Sequence, residues 1–468
     1  MALKLYNTAG AKLEPFVPLR DGHVGLYCCG PTVYNYAHIG NLRTYVFEDV
    51  LRRVLERNGY AVTHVMNVTD VGHLTDDSDE GEDKMLIGAR ERGMSVWEIA
   101  EFFTRAFFDD TEKLNVVSPT VVCRATEHIP DMIGLISRLE KRGLTYQAEG
   151  NVYFSIDAFP RYGELARLDR QELRAGARIE VDSAKRNPHD FVLWFTRGKF
   201  EHQAMQWDSP WGRGYPGWHL ECSAMSMKYL GERFDIHCGG VDHVNVHHTN
   251  EIAQSEGATG KTWVNYWLHG EFLIMPSGRM GKSEGNMITL STIEEEGYDP
   301  LDYRYFLFGA HYRTQLAFSV QALDAARSAR ASLIDQLRGL AARSADGARV
   351  ELGHDARLAL DAINDAFNDD LNAPKALGLL RAFLKDDAVP PGERLAVAFD
   401  ADRVFGLEMA TSVARHEELA PEYQAMIAER EAARKARDFA RADLLRDRLR
   451  DAGILIEDTP TGTKWKFV

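Results

Sequence analysis

Four residues with metal-binding side chains recur along this chain in separate segments. Cys29 lies in "LYCCGPTVYNYAHIGN", Cys222 in "GWHLECSAM", and His247 and Glu251 in "VHHTNE". Two thiolates, an imidazole and a carboxylate make a mixed soft and hard donor set of the kind zinc accepts. His247 and Glu251 are four residues apart and share a face if that stretch is helical. Taken singly, a cysteine reads as a small buried hydrophobe and a histidine as core or surface. The return of all four to one ligand-binding edge is what makes a candidate site. His219, His237 and His248 are near enough in sequence to compete as ligands. Cys28 and Cys29 sit side by side at a strand end, and consecutive strand residues face opposite ways, so the pair cannot both reach one metal without distortion.

Two further stretches suit phosphate chemistry. In "AHIGN" a strand gives way to a helix, whose free N–H groups and positive dipole end favour anions. Gly40 permits close approach there, and His38 can donate a hydrogen bond to growing negative charge; alone, a plain helix cap explains the pair. Some 240 residues later, "SGRMGKSEGN" combines Gly278, Gly281 and Gly285 with Lys282 and Ser283, a flexible loop able to close on a nucleotide's leaving group. Standing alone it reads as a solvated surface loop. The two together are far more specific than either.

The elements that position these residues follow from hydrophobic period. "HVGLYCCG" reads as a buried strand, "NLRTYVFEDVLRRVLERNG" as an amphipathic helix stopped by glycine, and "YAVTHVMNVTD" as a second buried strand. Strand, helix and strand at this spacing predict an α/β fold with a Rossmann-type, doubly wound parallel sheet. "HLTDDSDEGEDKM" reads as a loop, with helical patterns resuming from Lys84 towards Leu114. Short strand-like runs between Tyr146 and Gln206, such as "NVYFSI" and "FVLWF", suggest an insertion before the main fold resumes at "YPGWHLECSAMSMKYLG". After Tyr305 apolar residues recur at three- and four-residue steps, as in a helix bundle. An arginine-rich helix, "GILIED" and the tail "TPTGTKWKFV" suggest a small separate module. The expected domains are residues 1–116 with 206–310 (catalytic), 117–205 (insertion), 311–412 (bundle) and 413–468 (C-terminal module).

At 468 residues the chain has room for two to four domains. A net charge of −15 argues against indiscriminate coating of nucleic acid, which needs many Lys and Arg contacts to phosphate, but leaves room for a local basic surface such as that between Ala425 and Gly453. Five scattered cysteines fit a reducing compartment better than a disulfide framework. No apolar run of membrane-spanning length occurs, and "MALKLYNTAGAK" lacks signal-peptide features, so a cytoplasmic protein without a membrane partner is expected.

"CGPTVYNYAHIGN", "GWHLECSAM", "GGVDHVNVHHTNE" and "RMGKSEGN" stand in the order and at the spacing found in cysteinyl-tRNA synthetases, a class I aminoacyl-tRNA synthetase family, and the chain resembles that family through "HYRTQLAFS", "FNDDLNAPKAL" and the terminal "GTKW". The resemblance covers essentially the whole chain. It selects Cys29 over Cys28 and implies one zinc ion held by Cys29, Cys222, His247 and Glu251, leaving Cys28 and Cys238 as structural. It matches the family's His-Ile-Gly-His signature with His38, Ile39, Gly40 and Asn41. The Lys-Met-Ser-Lys-Ser loop is matched by Arg279, Met280, Gly281, Lys282 and Ser283. Asn41, Arg279 and Gly281 are departures: Asn keeps a hydrogen-bonding amide, Arg keeps the charge, and Gly281 loosens the loop without removing Lys282. Thr249 stands where the family often has Glu, at a position that is not a ligand. Gly30, Thr69, Trp218 and Asp242 correspond to the cysteine pocket, and Arg434, Asp443, Asp458 and Trp465 to positions that approach anticodon bases, where splayed bases can be stacked and read along their edges.

The implied reaction has two steps. L-Cysteine attacks the α-phosphorus of ATP, expelling pyrophosphate with help from His38, Lys282 and Mg2+, and the cysteine then passes to the 3′ end of cysteine tRNA. Zinc suits this substrate because it binds a thiolate far better than serine's hydroxyl, whereas apolar pockets separate similar side chains by only about 1 to 3 kcal/mol. A monomer is expected. The alternatives are a cysteine:amino-sugar ligase of mycothiol synthesis, which shares the catalytic core but lacks the C-terminal module, and a non-catalytic zinc-bearing RNA-binding protein, against which the retention of His38 and Lys282 argues.

Overall fold

The computed structural model describes residues 1–71, 92–168, 184–196, 205–275, 278–279, 287–344, 350–414, 421–452, 454–459 and 462–467. The segment between Gly72 and Glu91 and the loop residues Met280 to Ser283 therefore lie outside the described residues. The chain divides into two compact units, Met1–Ala410 and Thr411–Val468.

The first unit is organised by a five-stranded parallel sheet. Its strands, in chain order, are β1 (His23–Cys28), β2 (Ala61–Val68) and β3 (Val121–Arg124), followed after the insertion by β8 (Phe234–Gly240) and β9 (Val264–Gly270). Across the sheet the order is β9, β8, β1, β2, β3. The chain thus winds outward from β1 through β2 to β3, then returns to the other flank of β1. Open α/β sheets bind ligands at such a reversal, beyond the carboxyl ends of the strands. Here it falls between β1 and β8, where Cys28 is in register with Cys238 and the Cys29 N–H donates to the Cys238 carbonyl at 3.2 Å.

Both sheet faces are covered, as the near-continuous apolar runs of β1 and β2 demand. Helix α1 (Ile39–Arg57) buries Ile39, Leu42, Val46, Val50, Leu51, Val54 and Leu55 at helical spacing, and its Glu48 meets the Cys28 side of the sheet. On the Cys29 side lie α4 (His219–Leu230) and α5 (His247–Thr259), carrying Cys222 and Glu251. Helix α2 (Val96–Lys113) starts with a Ser95/Glu98 capping box, and α3 (Ile129–Lys141) packs beside α4 and α5 through Met132, Leu135, Ile136 and Leu139. The insertion forms a four-stranded antiparallel sheet of β4 (Thr145–Ala148), β5 (Asn151–Phe154), β6 (Phe191–Phe195) and β7 (Tyr215–Pro216).

Helices α6 (Pro300–Leu307), α7 (Val320–Ala341), α8 (His354–Asn368), α9 (Ala373–Phe383) and α10 (Pro391–Phe405) follow. A fully buried arginine ties them to the sheet domain. Arg304 on α6 donates to the Phe405 carbonyl at 2.6 Å, to the Leu114 carbonyl at 2.8 Å and to the Asp49 carboxylate of α1 at 2.5 Å. Asp49 also accepts from Arg53 at 2.8 Å and from the Val117 N–H at 2.8 Å, so the buried charges are matched and hydrogen-bonded.

The second unit comprises α11 (Pro421–Lys435), α12 (Phe439–Asp451) and a hairpin of β10 (Ile454–Thr459) and β11 (Gly462–Phe467). Leu449 and Ile454 form its small core, with Tyr423, Met426, Ile427, Ile456 and Trp465 packed against them.

Candidate active site

A cavity of about 430 Å³ opens at the sheet's reversal point, lined among others by Cys29, Gly30, His38, Thr69, Glu221, Cys222, Asp242 and His247. The peptide after β1 forms one wall. Gly30 is obligatory there, because a Cβ would lie 1.7 Å from the Asn67 carbonyl oxygen, while its N–H donates to the Asn67 side chain at 2.7 Å.

His38 is the N-cap of α1. Its Nδ1 accepts the Asn41 N–H at 3.1 Å, and the Asn41 side-chain oxygen accepts the His38 N–H at 3.2 Å, closing a capping box. Cap and chemistry are compatible: with Nδ1 accepting, a neutral imidazole carries its proton on Nε2 and so remains a donor. Asn41 earns its place as the cap's second half. A Cβ on Gly40 would come within 3.0 Å of the His38 ring, so glycine leaves that ring its room. His38 and Asn41 line the cavity with Tyr34, Tyr36, Phe103, Phe107 and Met287.

At the cavity floor, thiols and imidazoles crowd a single carboxylate. Cys29 Sγ lies 3.9 Å from Cys222 Sγ, 3.4 Å from His248 Nε2 and 4.0 Å from Glu251 Oε1. Glu251 Oε1 is 2.7 Å from His247 Nε2, and its Oε2 is 2.7 Å from His237 Nε2. Two sets of donors come within 4.8 Å of one another, Cys29, Cys222, His247 and Glu251 on the one hand, and Cys29, His237, His248 and Glu251 on the other. Tetrahedral zinc with bonds of 2.0 to 2.3 Å needs ligand atoms roughly 3.3 to 3.8 Å apart, and the observed separations bracket that spacing, from 2.7 Å between His247 and Glu251 to 3.9 Å between the Cys29 and Cys222 sulfurs. The two differ in outlook: Cys29, Cys222 and His247 line the cavity, whereas His237 and His248 lie wholly buried behind it.

The charge balance of the cluster is set by its single carboxylate and by burial. Burial alone would raise the Glu251 carboxyl, yet the His237 and His247 imidazoles hold it at about 2. Burial also pushes the Cys29 thiol up to about 12 and raises Cys222. His247 is raised well above the ordinary imidazole value: burial opposes its charge, but the Glu251 carboxylate and the Cys222 thiol prevail. His248 is depressed by burial and by the neighbouring imidazoles, and its Nδ1 meets His269 Nε2 at 2.8 Å, which in turn reaches the Thr8 hydroxyl at 2.7 Å. His237 therefore lies against Glu251 and His248 against Cys29, on the side of the cluster away from the cavity. His219 is drawn elsewhere, with its Nδ1 on the Gln254 amide and its ring against Phe191.

The remaining expected residues distribute as follows. Thr69 and Asp242 line the cavity, while Trp218 packs in the adjoining core with an indole N–H that has no hydrogen-bond partner among the described residues. The Arg279 backbone pairs with Ile274 in a two-residue strand. In the second unit Arg430 grips Asp458 at 2.8 and 2.9 Å, Arg434 pairs with the same carboxylate, Asp443 lines a shallow cavity with Arg446 and Arg450, and Trp465 backs the core. The Arg430 hydrogen bond leads in holding the Asp458 carboxyl down at about 2. Sequence reasoning passed over Glu221, though it stands beside Cys222. Its carboxyl accepts from Thr69 and, at 3.0 Å, from Asn67, and burial pushes it up to about 8.

Residues 15–328 match the family of tRNA synthetases class I (C) catalytic domain, and residues 416–465 match the cysteinyl-tRNA ligase anticodon binding domain. The fold agrees: a Mycobacterium tuberculosis methionyl-tRNA synthetase in complex with methionyl-adenylate superposes with a TM-score of 0.59 over 84% of this chain and 91% of that chain, at 14% identity. The sheet, the cavity at its reversal point and the catalytic-domain match define a class I aminoacyl-tRNA synthetase. The Cysteine–tRNA ligase of Treponema denticola is 52% identical over the full length of both chains, and Cysteine–tRNA ligase 1 of Burkholderia lata is 48% identical over 99% of this chain and 97% of its own. This chain belongs to the cysteinyl-tRNA synthetase family.

Proposed function

We propose that the protein activates L-cysteine with ATP and transfers it to the 3′ end of cysteine tRNA, with one zinc ion held by Cys29, Cys222, His247 and Glu251 selecting the substrate. The observation that carries this reading is that the thiol–imidazole floor and the His38 cap open into one cavity, at the sheet's reversal point. Zinc at that floor supplies a coordination position that a thiolate fills and a serine hydroxyl does not. Cys29 enters from the end of β1, Cys222 from α4, and His247 and Glu251 from one face of α5, so three separate elements hold the donors rigid.

His38 donates from Nε2 to charge growing on the ATP phosphates, Lys282 stabilises the leaving pyrophosphate, Gly40, Asn41, Arg279, Met280, Gly281 and Ser283 contribute to ATP binding, and Mg2+ would neutralise phosphate charge. Gly30, Thr69 and Trp218 line the cysteine pocket, and Asp242 contacts the amino acid or a ribose hydroxyl. Arg434, Asp443, Asp458 and Trp465 read the anticodon, and the domain limits 1–116 with 206–310, 117–205, 311–412 and 413–468 serve these roles in turn. The chain works as a cytoplasmic monomer. No helix among the described residues is long and apolar enough to cross a membrane.

The test is cysteine-dependent ATP–pyrophosphate exchange. Cys222→Ser should lose bound zinc and most of its cysteine-over-serine preference. A Cys222→Ser protein with one zinc per chain and full preference contradicts the assignment.

A further inference from the structure

The cavity contains one carboxyl group to which the reading above gives no task. Glu221 is 2% exposed, yet it lines the cavity beside Cys222. Its Oε1 accepts from the Thr69 hydroxyl and from Asn67 Nδ2 at 3.0 Å, and Asn67 Nδ2 also donates to Thr69 Oγ1 at 3.2 Å. Its Oε2 has no hydrogen-bond partner among the described residues. A buried carboxyl oxygen without a partner is costly to keep, and a ligand that pairs with it removes that cost.

The hydroxyl beside it is equally directed. Thr69 spends its proton on Glu221 and one lone pair on Asn67, which leaves an acceptor for the cavity. A carboxyl oxygen without a partner and a hydroxyl acceptor at one corner suit a ligand rich in N–H donors, and a cationic one also offsets the cost of keeping a carboxylate buried. Asp242, the other acidic residue of the cavity lining, is exposed, where water weakens any ion pair.

From this corner we infer that Glu221, with Thr69, binds the α-ammonium group of the substrate amino acid. This rests on the thiol being held at Cys29, Cys222, His247 and Glu251. Sulfur and nitrogen sit on adjacent carbons of cysteine and so stay within roughly 4 Å of each other in any rotamer. A thiol at the floor therefore carries its ammonium to a wall next to Cys222, and Glu221 is the next residue in the chain. The same corner aligns the main chain, because Asn67 holds the Gly30 N–H at 2.7 Å. An amino acid is thus fixed at two points.

Two thiols separate this role from a structural one. Cysteamine keeps the ammonium and lacks the carboxylate; 3-mercaptopropionate keeps the carboxylate and lacks the ammonium. Calorimetric titration of each into the zinc-loaded full-length protein should show Glu221→Gln weakening cysteamine by roughly 10- to 100-fold, the effect of losing a charged hydrogen bond, and 3-mercaptopropionate by less than about 3-fold. Equal weakening of both, or of neither, overturns the assignment. Should Glu221→Gln not fold, Thr69→Val gives the same comparison, and an unchanged ratio of the two affinities overturns it. A wild-type protein that binds neither thiol overturns the zinc reading and this one with it, whereas binding of both with an unaltered ratio in the variants refutes only the role of Glu221.

Discussion

Loading of the metal should expel protons, and their number reports which side chains hold it. Cys29 and Cys222 are neutral thiols in their buried setting, the first pushed up to about 12, and His247 is held in its charged form by Glu251. A metal accepts thiolates and neutral imidazoles, so binding to Cys29, Cys222, His247 and Glu251 displaces three protons. The other donor set has a single thiol, and its His248 has no proton to give, being depressed by burial and adjacent imidazoles; it displaces at most two. Each displaced proton adds a factor of ten in apparent affinity per pH unit, or 1.36 kcal/mol. Zinc affinity should therefore rise about 1000-fold between pH 6 and pH 7, some 4 kcal/mol in all. Competition with a chromophoric chelator over that range gives the slope directly. Cys222→Ser should lower it by one. A wild-type slope of two or less that Cys222→Ser leaves unchanged refutes the assignment of Cys222 and His247.

Three other perturbations test the scaffold. Arg304→Met strands the buried Asp49 carboxylate and the carbonyls of Leu114 and Phe405, and should cost about 3 to 5 kcal/mol in urea unfolding of the first unit. Glu48 is 1% exposed, burial raises its carboxyl well above the ordinary range against an opposing Cys28 hydrogen bond, and its oxygens otherwise lack partners among the described residues. A raised folded-state pKa means that its contribution is fully present below about pH 4.5 and is lost as pH rises. Glu48→Met should thus stabilise the protein by roughly 1 to 3 kcal/mol at pH 8 and less at pH 5, read from melting temperatures at both values. Deletion of the chain after Ser412 should leave cysteine-dependent pyrophosphate exchange within about threefold of wild type while lowering charging of tRNA; equal loss of both means that the second unit supports the fold of the first.

Much of this arrangement was legible in the letters. The strand–helix–strand pattern of residues 23–68 gave the start of the parallel sheet, because buried parallel strands are apolar on both faces and α1 keeps one apolar stripe. Alternation correctly separated Cys28, which meets Glu48 and Cys238, from Cys29, which meets Cys222. Less legible was everything that depends on long-range geometry. Nothing local says that His237, in a strand, backs Glu251, or that His248 and His269 form a relay ending at Thr8, since those pairings arise only when β8, α5 and β9 are brought side by side. His219 shows the converse: adjacent in sequence to the site, it is turned to Gln254 by its helix. The reading of His38 as a helix cap and the reading as a phosphate donor looked exclusive in sequence, and the capping geometry reconciles them by leaving the proton on Nε2. Glu221 was hidden because a lone glutamate beside a candidate ligand has no signature until Thr69 and Asn67 close around it.

The most direct measurement is charging by the purified, zinc-loaded full-length protein with ATP, L-cysteine and a cysteine-tRNA transcript. The predicted result is cysteinyl-tRNA that forms only with all three substrates present, with serine excluded. Cysteine-dependent pyrophosphate exchange accompanied by transfer to an amino sugar and not to the tRNA, or binding of tRNA without any exchange, contradicts it.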